Sequence, residues 1–169
     1  MSVKQQNIIM SPPDFFDIEY SINPWMNVKN KVNPEHAKRQ WDSLYAIYKR
    51  FGYKIDLIPP VKGLPDLVFT TDHGKFIDGT FYVSHFRHAV RQKEQDITLP
   101  WYTKHKIHLQ HLPANHFMEG GDVLIHNQHI FVGYGYRTSK NTASFLAKST
   151  GLKTYSLKLI DDAFYHLDT

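Results

Sequence analysis

A chain of 169 residues that is 41% hydrophobic and 14% aromatic has enough apolar material to bury an ordinary domain core, which excludes a disordered chain. Its 20 Lys+Arg against 16 Asp+Glu leave a net charge of +4, but the basic residues are scattered and carboxylates interrupt them, so no nucleic-acid partner is expected. Zero cysteines exclude disulfides, thiolate metal ligands and any thiolate nucleophile within these residues.

Taken in chain order, residues 1–10 hold only a short apolar patch, Ile8, Ile9 and Met10, too short for a signal peptide. No apolar run approaches the ~18 residues of a membrane span, so no membrane is expected and a cytoplasmic protein is the default. Asn33-Pro34-Glu35 predicts a helix start, with Ala37, Trp41, Leu44, Tyr48 and Phe51 at helical spacing and Gly52 as the stop. Lys54 to Ile58 reads as a strand ended by Pro59-Pro60, and Leu67 to Thr71 as a further strand. A hairpin follows, Lys75 to Ile77 and Thr80 to Ser84, turned by Asp78-Gly79. Next come a short helical segment at His88 to Gln95 and a strand at Lys106 to Leu112. The pattern then recurs as Asp122 to His126, a turn at Asn127-Gln128, His129 to Gly133, a helix capped by Thr138 and stopped by Gly151, and the strand Lys153 to Leu157.

The strands that close each unit begin at Lys54, Lys106 and Lys153, roughly fifty residues apart, so the chain reads as about three hairpin, helix, strand modules of α/β type. No composition shift marks a second domain, so residues 1–169 are expected to be one domain. Phe164 to Thr169 stands where a fourth module would begin, and the domain is expected to be truncated there.

Three segments place acids and a histidine at the ends of predicted strands: Leu64 to Asp72, Phe117 to Leu124, and Tyr165 to Thr169. A guanidinium is planar, always charged and rich in N–H donors, so a site for it needs carboxylates spread in its plane. Asp72 and Asp168 are candidates for them. His166, two residues before Asp168, would project to the same side of an extended strand and add a proton carrier. The plainer reading is of separate loop acids, with Gly120-Gly121 only permitting a tight bend. His105, His108 and His111 are evenly spaced, but on a strand His108 points away from the other two, so no metal is expected.

Together these segments resemble the guanidine-modifying superfamily of dimethylarginine dimethylaminohydrolases, arginine deiminases, arginine dihydrolases and amidinotransferases. Glu119-Gly120-Gly121-Asp122 with His166-Leu167-Asp168 carries the specific signal. Ser11 to Phe16 and Ile22 to Met26 resemble the opening of the dimethylargininase and dihydrolase branch. The resemblance implies a pseudo-fivefold α/β propeller (pentein), here incomplete at about three of five modules, with its site on the central axis. It implies Asp72 and Asp168 as guanidinium ligands, His166 as general acid and base, and Glu119 as its electrostatic partner. Asp66 is implied at the amino-acid end of the substrate, and Arg91 and Arg137 at its carboxylate.

The implied chemistry is hydrolysis or amidino transfer on arginine or a methylated arginine through a covalent cysteine intermediate, with no cofactor. Two departures stand out. Thr71-Asp72 occupies a position where many close relatives have Ala-Asn, and the family's late cysteine is missing. The expectations are therefore a hydrolase part lacking its nucleophile, completed by a separately encoded C-terminal part, with an arginine-binding module or a remnant as the alternatives. Self-association is expected through interfaces that neighbouring modules would cover.

Overall fold

The computed structural model describes residues 7–169, so the reading of residues 1–6 lies outside the described residues. The chain divides into two compact units, Met1–Ser21 with Met26–Thr70, and Ile22–Trp25 with Thr71–Thr169.

In the first unit, β1 (Asn7–Met10) and β2 (Lys54–Leu57) pair in parallel, which requires a crossover, and α1 (Pro34–Arg50) supplies it. Asn33 caps α1 as its sequence predicts, its side chain accepting from His36 N at 2.9 Å. Gly52 ends it at φ +81°. The helix buries no residue completely. Trp41 and Tyr45 are half-covered, while Leu44, Ile47 and Phe51 are exposed. The strand expected over Leu67 to Thr71 is instead a 3-10 turn, Pro65–Val68, and a second one follows at Thr70–His73. Pro65 has a helical φ and no N–H to give a ladder, and the Asp66 carbonyl is taken by Phe69 N at 3.0 Å.

The second unit repeats one plan twice. β3 (Gly74–Ile77) and β4 (Thr80–Val83) form a hairpin, and β5 (His108–Gln110) returns parallel to β4. β6 (Val123–His126), β7 (His129–Tyr134) and β8 (Lys153–Lys158) do the same, with β8 parallel to β7. Asp78 and Gly79 both have positive φ, 47° and 81°, which a two-residue turn needs to match the strand twist.

Between β4 and β5 lie α2 (Ala89–Gln92) and α3 (Gln95–Lys104). Helix thus continues well past the segment expected at His88 to Gln95, and Pro100 lies inside α3. Pro100 is exposed, and the ring therefore costs α3 a bond on a side where water can serve the freed carbonyl. Between β7 and β8, α4 (Thr142–Thr150) starts later than expected. Thr138 does not cap it, because its Oγ1 instead takes the Glu119 N–H at 3.1 Å. Ile77, Tyr82, Met118, Val123, Ile130, Val132, Ala143 and Leu146 make the core of this unit.

Candidate active site

Three segments of the second unit converge because two glycines let them. A Cβ on Gly120 would run into the carbonyl oxygens of Thr71 and Gly74, so only glycine allows residues 119–122 to lie directly on residues 71–74. A Cβ on Gly121 would sit 2.8 Å from both His166 Nδ1 and Asp168 Oδ1, so the 166–168 turn rests on that bare backbone. The second carboxylate segment is a 3-10 turn, Gly120–Asp122, and residues 166–168 form a turn in place of the expected strand. His166 and Asp168 share a side because both pack on Gly121, not because a strand alternates.

The convergence assembles a buried charge cluster. His166 Nε2 lies 3.0 Å from Glu119 Oε2, and its Nδ1 lies 3.6 Å from Asp72 Oδ1. Arg137 Nη1 donates to the same Glu119 Oε2 at 2.9 Å, and its Nη2 donates to the Ile22 carbonyl at 3.1 Å. Arg91 donates from Nη1 to Asp72 Oδ2 at 2.7 Å, and from Nε and Nη2 to the two Glu94 oxygens at 2.8 and 3.0 Å. Glu94 Oε2 also faces His73 Nε2 at 3.2 Å. Asp72, His73, Arg91, Glu94, Glu119, Arg137 and His166 are all buried.

Burial by itself would raise the Asp72 carboxyl, but Arg91 and His166 hold it below its ordinary value. Burial would likewise depress His166, and the Glu119 hydrogen bond with the Asp72 and Asp122 charges lifts it above the usual imidazole value. The imidazole is thus biased towards its charged form. Asp168 is exposed, yet partial desolvation and the nearby Asp72 charge raise its carboxyl against His166 and Lys75. Lys75 is lowered, chiefly by desolvation, against Asp168 and Asp72.

Asp72, Glu119 and His166 also present donor atoms within 4.8 Å of one another. Guanidinium groups already sit on both of those carboxylates, however, so the arrangement favours planar N–H cations over a metal ion.

Of the residues singled out in the sequence, Asp72, Arg91, Glu119, Arg137 and His166 share this cluster, with Asp168 on its Gly121 shelf. Asp66 belongs to the first unit, where it is buried and accepts from Tyr20 Oη at 2.9 Å. Glu94 and His73 were not foreseen. The signal for Glu94 was its i,i+3 spacing from Arg91; His73 carried none beyond its place beside Asp72.

The family model of eukaryotic N,N dimethylarginine dimethylhydrolase matches residues 17–167. The chain belongs to that family. The Mycobacterium tuberculosis N(G),N(G)-dimethylarginine dimethylaminohydrolase, a curated member, is 38% identical over 161 residues, covering 95% of this chain and 53% of that protein. A bifunctional arginine dihydrolase/ornithine cyclodeaminase of Nostoc, AgrE, is also 38% identical, over 95% of this chain and 23% of its own length. Among solved structures, the N-terminal domain of the cyanobacterial arginine dihydrolase ArgZ, bound to product, superposes with a TM-score of 0.90 at 34% identity, covering 98% of this chain and 62% of that one. A cysteine-to-serine variant of that domain, bound to substrate, gives 0.87 at the same identity, covering 95% and 60%. The family's mixed α/β fold is therefore this chain's fold, and the chain spans about half the length of the dimethylaminohydrolase it matches.

Proposed function

We propose that this chain supplies the guanidinium-binding and proton-transfer part of a hydrolase acting on arginine or a methylated arginine, as three of the five modules of a pseudo-fivefold propeller. The observation that carries this reading is the buried His166, held between Glu119 at 3.0 Å and Asp72 at 3.6 Å beside two carboxylate-bound guanidinium groups. Such a histidine is biased towards its charged form, and the adjacent Glu119 carboxylate stabilises the imidazolium while it holds the proton.

In this reading Asp72 and Asp168 hold the substrate guanidinium and keep it cationic, which makes its carbon attackable. A cysteine thiolate from outside these 169 residues bonds to that carbon. His166 passes its proton to the departing ammonia or amine as the C–N bond breaks, then takes one from the water that hydrolyses the thiouronium and frees the thiolate. Glu119 stabilises the imidazolium. Asp66 serves the amino-acid end of the substrate. Arg91 and Arg137 fix Asp72 and Glu119 and have the substrate carboxylate as a further partner. The setting is cytoplasmic, and no cofactor enters.

The alternative is a module that binds arginine-like ligands without turning them over, and the zero cysteine count is what favours it. The test mixes this chain, wild type or His166→Ala, with the cysteine-bearing remainder of the cyanobacterial arginine dihydrolase domain and measures citrulline, ornithine and ammonia release. We expect no release from this chain alone, release in the wild-type mixture, and a loss of 10²- to 10⁴-fold with His166→Ala, the usual worth of a positioned proton carrier. Equal rates in both mixtures, or none in either despite a stable complex, defeat the split-site reading. Retained L-arginine binding would then select the binding module.

A further inference from the structure

One buried acid in the second unit has no place in the chemistry above. Asp122 is completely buried, and its Oδ1 accepts the Leu167 N–H at 3.1 Å. The neighbouring Asp168 N–H donates to the Gly121 carbonyl at 3.2 Å, so the 166–168 turn is fastened to the 119–122 turn at two successive residues. The fit leaves no slack. A Cβ on Gly133 of β7 would lie 2.9 Å from Asp122 Oδ1 and 3.0 Å from Leu167 Cβ, so the strand backbone itself backs the joint. Glu119 and Asp122 bracket one turn: Glu119 meets the His166 ring, and Asp122 meets the backbone that carries the ring. An imidazole whose partner must stay 3.0 Å from Nε2 cannot tolerate a loose backbone, since misplacement of about an ångström costs a proton-transfer site ~100-fold.

We propose that Asp122 is a positioning residue for His166, clasping the 166–168 turn onto the Glu119–Asp122 turn so that the imidazole is held between Glu119 and Asp72. The assignment rests on the reading of His166 as proton carrier, but the clasp is read without substrate or partner. Asp122 also affects the ring by charge. Burial pushes its carboxyl up to about 6, against His166, the nearby Thr138 hydroxyl and the Leu167 N–H, and its anion is one of the three that raise His166. Around the ring stand Glu119, Asp72, Asp122 and Asp168, with the Arg137 and Arg91 guanidiniums on the first two.

The experiment follows the isotope-labelled 169-residue chain by NMR, reading amide exchange at Leu167 and Asp168 and the titration midpoint of the His166 ring. Asp122→Ala removes the acceptor, and Leu167 and Asp168 should exchange at least ~10-fold faster while the β6 and β7 amides stay protected. Asp122→Asn keeps an oxygen for Leu167 N–H and removes the charge. It should leave Leu167 protected and lower the His166 midpoint by roughly half a pH unit or more. Unchanged Leu167 exchange in a folded Asp122→Ala chain overturns the clasp. Should that variant not fold, a Leu167 amide in the wild-type chain that exchanges as fast as an unstructured one overturns it, and an unmoved His166 midpoint in Asp122→Asn removes only the charge effect. Failure of the mixing experiment above would defeat the hydrolase reading and leave both readouts as they are.

Discussion

The cluster contains cations of two kinds. Arg91 and Arg137 are buried and tied to carboxylates at 2.7 to 3.0 Å, so they behave as fixed framework charges. Lys75 is half-buried, and its Nζ reaches the Gly120 carbonyl only at 3.4 Å, so it is the adjustable one. It faces Asp168 and Asp72, the two carboxylates proposed for the guanidinium, and Lys75→Met should therefore raise the Asp168 carboxyl midpoint. Carboxyl carbon NMR reads this directly, and an unmoved midpoint would show that the ammonium is not paired there.

The pH dependence of stability follows from the same residues. Asp72 is depressed in the folded state, so its contribution is present above the unfolded carboxyl value and lost as pH falls through its folded one. His166 is raised, so its contribution is complete below the unfolded imidazole value near 6.5 and lost as pH rises through its folded one. Asp122, raised to about 6, adds stability at low pH that disappears as pH climbs from the unfolded carboxyl range to 6. Thermal melts across pH should therefore show a fall on each side of a mildly acidic optimum, and His166→Gln should flatten the alkaline side. A melt curve whose alkaline side is the same in His166→Gln would exclude that imidazole as its source.

Among the elements, those that announce themselves through local chemistry were legible: the Asn33 cap and Pro34 of α1, the Asp78-Gly79 turn, and the Gly151 stop of α4, which has φ 71°. Elements whose conformation depends on what they touch were not. Residues 65–73 have an apolar run that looks like a strand, but their backbone is curled into 3-10 turns, a choice that local pattern does not encode. Thr138 looks like a helix cap and instead serves the Glu119 backbone, a bond spanning nineteen residues.

The site shows the same division. Residue types singled out Asp72 and His166 and the family resemblance added Glu119, whereas Glu94 and His73, and the clasping role of Asp122 in the same motif, emerge only from contacts across the fold. Gly120 is the element-scale hinge of this assembly. Its missing Cβ would collide with two backbone carbonyls, which cannot move aside as a side chain could. Gly120→Ala should cost roughly 2 to 4 kcal/mol by forcing the 119–122 turn off residues 71–74. A denaturant midpoint within experimental error of wild type would contradict that packing argument.

At the scale of the molecule, the question is what its apolar surface does in water. The sheet β6-β7-β8 ends on β8, an edge strand whose outer hydrogen-bonding groups have no strand beside them among the described residues. Tyr155 and Leu157 on that strand are exposed, and just beyond it Ile160 is 86% and Phe164 57% exposed. Natural edges are usually blunted by charge, proline or cover, and Lys153 and Lys158 place charge only at the two ends of β8. An open edge beside large apolar side chains is a template for another copy of the same strand. The 169-residue chain should therefore self-associate at tens of micromolar, with light scattering giving a mass above the 19.8 kDa monomer. The double variant Leu157→Lys with Ile160→Lys should return it towards the monomer, because both positions face solvent and the change costs the fold little, whereas a paired edge would bury two unpartnered ammonium groups. If the wild-type chain scatters as a clean monomer, the edge is not adhesive. If the variant associates as strongly as the wild type, the contact lies elsewhere, and α1, with Leu44, Ile47 and Phe51 exposed, is the next surface to mutate.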